Sequence, residues 1–337
     1  VWTSPSPFNS SSPAPFGYVA GGYPGPKLSV DRIDYSNDTA TASPKGPLTI
    51  GRHYLAATGN SSFGYFAGGY APSPGNFSTV DRVDYSNDTA TTSPKGPLSA
   101  AKRGLTATGN ASFGYFAGGD SSGQQILRID YSNDTATALV KGPLSASRKY
   151  AAGTGNQSFG YFGGNSSPSV QSVVDRIDYG NDTATASPKG PLSSAKHSMG
   201  ATGNASFGYF GGGHQSPGPL STVDRIDYSS DTGTAPSKGP LSAVKREPAA
   251  TGNSSFGYFV GGAPSYLIID RVDYSNDTAT ASPRGSLSVS RAAAAATSRK
   301  GQGAPDTSNI SPVATNFGYY GSGFTGSVNS STVDRID

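Results

Sequence analysis

Phe207-Gly208-Tyr209-Phe210-Gly211-Gly212-Gly213, followed eleven residues later by Asp224-Arg225-Ile226-Asp227-Tyr228, is the stretch whose reading decides the fold. It is one copy of a recurring unit. Phe-Gly-Tyr begins at Phe16, Phe63, Phe113, Phe159, Phe207, Phe256 and Phe317, and an Arg-(Ile/Val)-Asp triplet follows each time. Seven copies at a period of about 48 residues define a repeat architecture, in which each copy is one supersecondary unit packed on its neighbours.

The second copy shows what the unit is. Residues 52–58 read as a weakly patterned first strand, and Gly59-Asn60-Ser61-Ser62 as a turn. Residues 63–67 form an aromatic second strand stopped by Gly68-Gly69. A variable loop leads to the third strand at 79–85, Ser86-Asn87-Asp88 turns the chain, and 89–92 are a short fourth strand ended by Pro94. Four strands per unit with evenly spaced turns predict an all-β, seven-bladed β-propeller of four-stranded antiparallel blades, a single domain over 1–337. Composition agrees. The chain has 46 Gly and 25 Pro for turns but only one Glu, Glu247, and one Met among the strong helix formers.

The aromatic strand ending in Gly-Gly, the hydrophobic-Asp pair (Ile33-Asp34, Val83-Asp84) and the hairpin after it resemble the kelch repeat. The Trp usual near the outer strand of that family is replaced by Ala40, Ala90 and Ala184. The longer unit, from Asp-Arg-Ile-Asp-Tyr-Ser-Asn-Asp-Thr through Phe-Gly-Tyr-Phe, resembles repeats of virion-associated proteins from tailed phages of cyanobacteria. That resemblance implies a non-enzymatic virion structural or host-attachment protein, extracellular or on a virion. Its expected partners are other subunits of the assembly or cell-surface glycans. A secreted adhesin or matrix glycoprotein with a glycosylated face is the alternative.

The chain stops at Asp337, where an outer strand should follow, and begins with Val1-Trp2-Thr3-Ser4-Pro5, which matches that strand. The N-terminal strand is therefore expected to complete the last blade and close the ring. Two copies are irregular. Copy one has only residues 8–15 where an inner strand belongs, and copy seven has an excess at 301–315. The alanine run 292–296 suggests helix by propensity, but Arg291 aligns with Arg52, and that register says strand.

Arg and Asp recur two residues apart in strand three: Arg32/Asp34, Arg82/Asp84, Arg128/Asp130, Arg176/Asp178, Arg225/Asp227, Arg271/Asp273 and Arg335/Asp337. They share a face of the strand, and a feature of every blade reads as scaffold, an inter-blade charge ladder. The Gly of Phe-Gly-Tyr is expected to admit a neighbouring ring or backbone.

Strand alternation sorts the loops onto two faces. Turns 1–2 and 3–4 emerge on a nearly constant face. Its asparagines all lie in Asn-x-Ser/Thr sequons: Asn37, Asn60, Asn87, Asn110, Asn133, Asn156, Asn181, Asn204, Asn253 and Asn276. They serve either as turn residues or as glycosylation sites. Loops 2–3 and the blade links emerge on the other face and vary. Tyr23, Tyr70, Phe77, Gln124, Gln125, His214, Gln215, Tyr266 and Phe324 are its candidate binding residues.

Other chemistry is not indicated. The net charge of +3 is small and spread evenly, which argues against nucleic acid, and no apolar stretch is long enough to span a bilayer. Absent cysteine rules out disulfides and thiolate metal sites. Asp34-Tyr35-Ser36-Asn37-Asp38 lacks the spacing of a calcium loop. His53, His197 and His214 sit at unrelated repeat positions, so neither a histidine metal site nor a triad is expected. No catalytic residue, cofactor or metal is assigned, and the protein is read as not an enzyme.

Overall fold

The computed structural model describes residues 16–120 and 123–298, and the backbone of four short strands between 318 and 336. It is an all-β propeller of four-stranded antiparallel blades. Each blade runs inner, second, third and outer strand. Blade 2, for example, is Ala56–Gly59, Phe63–Ala67, Val80–Asp84 and Ser93–Lys95. Three single 3-10 turns are the helical content of the described residues, and no described helix is long and apolar enough to cross a membrane.

The ring has six blades, not seven. Its inner strands are Ala56–Gly59, Leu105–Gly109, Ala152–Gly155, Gly200–Gly203, Ala249–Gly252 and Ala295–Ser298, and each touches the next all the way round. The last of them pairs with Phe16–Ala20, the second strand of blade 1, in the register Tyr18 opposite Thr297. Copy one thus takes the inner strand that copy seven would otherwise own. The expected closure by the N-terminal strand is replaced by this one, and Val1 to Pro5 lie outside the described residues. The end of the alanine run is a strand, Ala295–Ser298, in which Ala295 and Ala296 ladder with Ala20 and Val19, while Ala293 is left-handed and outside it. The seventh copy belongs to a second compact unit, distinct from the six-bladed one. In it Gly318–Tyr320 pairs with Asp334–Ile336 as a separate two-stranded sheet.

Six chemically equivalent junctions hold the blades together. The Tyr of Phe-Gly-Tyr is fully buried and stacks on the Tyr after Arg-x-Asp in the next blade. Tyr18 lies on Tyr85, Tyr65 on Tyr131 and, at the closure, Tyr258 on Tyr35, with centroids 4.9, 4.8 and 4.7 Å apart. That second Tyr explains the intervening glycine. A Cβ on Gly64 would stand 2.7 Å from both the Tyr85 hydroxyl and the Thr297 methyl.

The charge ladder exists, but its carboxylates are not those two residues after the Arg. Arg32, Arg82, Arg128, Arg176, Arg225 and Arg271 reach Asp88, Asp134, Asp182, Asp231, Asp277 and Asp38, the Asp of the next blade's Asn-Asp-Thr turn (Ser-Asp-Thr at Asp231), at 2.7–2.9 Å. The same carboxylate accepts the Tyr hydroxyl, as in Tyr18 to Asp88 at 2.9 Å, and a second cation from the outer strand, as in Lys45 at 3.4 Å. Burial works against the Asp88 carboxyl, yet the Tyr18 hydrogen bond and the Arg32 charge hold it below the ordinary range. Asp34, Asp84, Asp130, Asp227 and Asp273 instead close their own turns, accepting the N–H and hydroxyl of the serine two residues on. Asp178 accepts the N–H of Gly180. The side chains of Arg335 and Asp337 lie outside the described residues.

A second, buried pairing joins each blade link to its own sheet. Arg52 and Asp81 are both fully buried with 2.8 Å between them, and Arg148–Asp175, Lys196–Asp224, Lys245–Asp270 and Arg291–Asp31 repeat the arrangement. In blade 3 Leu127 takes the Asp position, and the buried Lys102 reaches the Gly118 carbonyl at 3.4 Å.

The outer strand is Ser93–Lys95, with Pro94 inside it, and not the expected 89–92. Proline fits because its position faces away from the sheet. Arg225 N–H donates to the Pro236 carbonyl at 3.0 Å, so the next position along turns its nitrogen outward. Blade 3 alone of the six places a large apolar residue there, Val140, which with Leu139 is more than half exposed. Val140→Pro is therefore expected to leave the unfolding free energy within about 1 kcal/mol of wild type in a urea titration. A larger loss would mean that the Val140 N–H is bonded within the sheet.

Candidate binding site at the axial mouth

Each blade link ends in a buried cation, then one variable residue, then a residue that opens the inner strand. The last of these are Tyr54, Gly104, Tyr150, Ser198, Glu247 and Ala293, all in the left-handed region with φ between 51° and 67°. Their backbones close a circle. Tyr54 N–H donates to Ala293 O, Gly104 to Tyr54, Tyr150 to Gly104, Ser198 to Tyr150, Glu247 to Ser198, and Ala293 to Glu247, at 2.7–3.0 Å. The circle is the mouth of the propeller axis on the variable face. Below it the axis is lined mostly by Ala and Gly, with Leu55, Leu105, Met199 and Pro248, around a cavity of about 90 Å³, room for a few waters.

Every left-handed non-glycine residue among the described residues belongs to this circle. The conformation costs an L-residue roughly 1–2 kcal/mol, and Gly104 shows that glycine fits it. Ala293→Gly is thus expected to raise stability by about 0.5–1 kcal/mol, the strain relieved less the added chain entropy. An unchanged or lower denaturation midpoint would show that the strain is absent.

The residues that carry this strain also differ from blade to blade, as the loops of this face do. Glu247, the chain's single Glu, is mostly buried, and burial raises its carboxyl above the ordinary range. Tyr54 reaches across to it, donating its hydroxyl to Oε1 at 3.2 Å, and the Tyr54 and Tyr150 rings meet at 5.1 Å. A carboxyl raised on folding penalises the folded state only when ionised. The penalty is absent below its unfolded value and grows as pH rises through the carboxylate range to the folded value. Glu247→Gln, which keeps an acceptor for Tyr54, is therefore expected to be neutral in acid and stabilising near neutral pH. Denaturant titrations at the two pH values check this, and a loss of stability at neutral pH would reverse the sign.

Outside the circle lies a rim. The variable residue before each left-handed position faces the loop after Gly-Gly through backbone hydrogen bonds: His53 to Tyr70, Arg103 to Asp120, Lys149 to Ser166, His197 to His214, Arg246 to Ala263 and Ala292 to Tyr23. His53 sits among Tyr23, Tyr54 and Tyr70, with ring centroids 4.9–5.9 Å away. Burial and the Arg103 charge push its pKa down. Arg103 lies over the Tyr70 ring at 4.4 Å and pairs with Asp120 at 2.6 Å, and Lys149 shares that carboxylate and covers Tyr150. Burial opposes the Asp120 charge, and the bonds from Lys149 and Arg103 more than offset it.

The structure thus gathers Tyr23, Tyr70 and His214 of the sequence candidates onto one rim. Gln215 pairs with Gly218 in a small hairpin beside it, Gln124 is exposed, and Gln125 and Tyr266 are half-buried. Phe77 is a buried core residue rather than a contact, and Phe324 has only its backbone described. The histidines do not occupy unrelated positions. His53 and His197 are equivalent, each following a buried cation, and His214 faces His197. Tyr54, Tyr150 and Glu247 were missed. The signal was available, since the second residue after the buried cation reads Tyr, Gly, Tyr, Ser, Glu, Ala beside inner strands that barely change.

On the opposite face the two sets of asparagine differ. Asn60, Asn110, Asn156, Asn204 and Asn253 are half-buried and close their turns by accepting two backbone N–H groups at 2.8–2.9 Å. Asn37, Asn87, Asn133, Asn181 and Asn276 are exposed. No protein-family model matches this chain, and no curated protein is detectably similar to it in sequence. The kelch-type and phage-type resemblances accordingly stay with the repeat residues that suggested them.

Proposed function

We propose that the protein is a non-catalytic recognition propeller that binds surface glycans across the axial mouth and its rim. One observation carries this. Six near-copies diverge where the axis opens, and there they accept left-handed backbone and a buried carboxyl, costs that stability alone would select against. The surface suits a saccharide. Tyr23, Tyr70, Tyr54 and Tyr150 offer rigid amphipathic rings, and Arg103, Lys149 and Arg246 stand beside them as hydrogen-bond donors. The small axial cavity leaves the ligand at the surface. A virion or host-attachment setting, proposed from the repeat's resemblance alone, fits a module of this kind.

Glycan-array binding by the full chain, compared with Tyr54→Ala, Tyr70→Ala and the constant-face variant Asn87→Ala, tests the reading. Binding should fall in the two mouth and rim variants and persist in Asn87→Ala. Wild-type binding by both tyrosine variants, or no glycan bound by the parent chain, would overturn it.

A further inference from the structure

We propose that His197 and His214 form a binding site for a divalent transition-metal ion of the zinc, nickel or copper(II) class. The backbone fixes the pair. His214 N–H donates to His197 O at 2.8 Å and His197 N–H to His214 O at 3.2 Å, so the two residues are directly opposed on antiparallel segments. Their rings lie with centroids 5.3 Å apart and planes inclined by 48°. Cross-strand neighbours project to the same side, which lets two imidazoles converge on one ion.

The surroundings suit a ligand role. His197 Nδ1 and the Ser198 hydroxyl are 3.0 Å apart, which orients the ring and leaves Nε2 as the coordinating atom. Ser198 is itself held in the axial circle by its bond to Tyr150 O, so the orienting group is rigid. Among the described residues no side chain hydrogen-bonds either nitrogen of His214. Both histidines are half-exposed, so the remaining coordination positions are open to water or an incoming ligand.

Charge balance at the site is local. The Glu247 carboxylate stands 3.8 Å from Arg246. Arg246 opposes an added cation from a side chain that is 47% exposed, and Lys196 beneath is engaged by Asp224. Among the described residues no group of three side chains converges as metal ligands, so the ion would keep two protein ligands and open positions. Imidazole donors favour zinc, nickel and copper over magnesium or calcium. At the equivalent bridge the other five blades carry Tyr with His53, Asp with Arg103, Ser with Lys149, Ala with Arg246 and Tyr with Ala292, so blade 5 is the one built this way among those described. The site stands whether or not the rim binds a saccharide.

Tag-free full chain titrated calorimetrically at neutral pH with zinc, nickel or copper(II), with magnesium as the control, tests the assignment. One equivalent of transition metal should bind, binding should weaken in mild acid, and it should be lost in His197→Ala and in His214→Ala but kept in His53→Ala. Histidine side-chain 15N spectra of the parent chain should show two imidazoles shifting with zinc, a readout that needs no variant. No binding of any of the three metals, binding that survives both variants, or zinc shifts at His53 alone would each overturn it.

Discussion

Asp31→Ala is expected to lower the free energy of unfolding by about 3–5 kcal/mol and to loosen the ring at one place. Asp31 and Arg291 are both fully buried, 3.2 Å apart, and Asp31 also accepts the Ser288 N–H at 3.0 Å and its hydroxyl at 2.5 Å. Removing the carboxylate leaves the guanidinium without its countercharge in an interior that already pushes its pKa down. Asp224→Ala strips the same chemistry from blade 5, where a short turn joins the inner and second strands. In blade 1 the inner strand Ala295–Ser298 and the second strand Phe16–Ala20 have no such short link. Hydrogen exchange should therefore show these two strands losing protection first in Asp31→Ala and not in Asp224→Ala. Equal loss in the two variants, or a wild-type unfolding midpoint for Asp31→Ala, would remove the closing role given to this pair.

The second large effect is Gly46→Ala, expected to cost about 3 kcal/mol or more. A Cβ on Gly46 would stand 1.7 Å from the carbonyl oxygen of Ala90 in the next blade. The obstacle is backbone, and Gly46 N–H is also bonded to Asp88 O at 2.9 Å, so neither side can retreat without opening the junction. Gly96, Gly142, Gly190, Gly239 and Gly285 meet their neighbours in the same way. Gly233→Ala is the control, because nothing lies within 4 Å of its added Cβ. Guanidinium unfolding of the two variants separates them, and similar midpoints would show that the blades are not seated this tightly.

Much of the fold was legible because it is written many times. The Phe-Gly-Tyr strand, the Gly-Gly stop and the Asn-Asp-Thr turn are local signals, and repetition raised them above chance. The need for glycine in Phe-Gly-Tyr could be anticipated, since a small residue in a strand marks a close approach. The ladder was half legible. Arg32 and Asp34 share a strand face, but nothing in that spacing shows that the Arg reaches forward to Asp88 while Asp34 turns back to Ser36. Pro94 misled in the other direction, because a proline reads as a strand end unless its nitrogen is known to face outward.

The sequence by itself determined the all-β content, the four-stranded unit, the constant and varied faces and the close approach at the glycine of Phe-Gly-Tyr. Those follow from steric and hydrogen-bonding demands acting within a few residues. Tertiary structure alone decided that the ring closes at six: among the described residues six inner strands pair with the aromatic strands of copies one to six, while Gly318–Tyr320 of copy seven pairs with Asp334–Ile336. Which ends meet depends on a pairing between residues 16–20 and 295–298 that no local pattern encodes. It also decided the candidate site. The mouth takes one residue from each blade, spaced along the whole chain, and only ring closure brings Tyr54 within hydrogen-bond distance of Glu247.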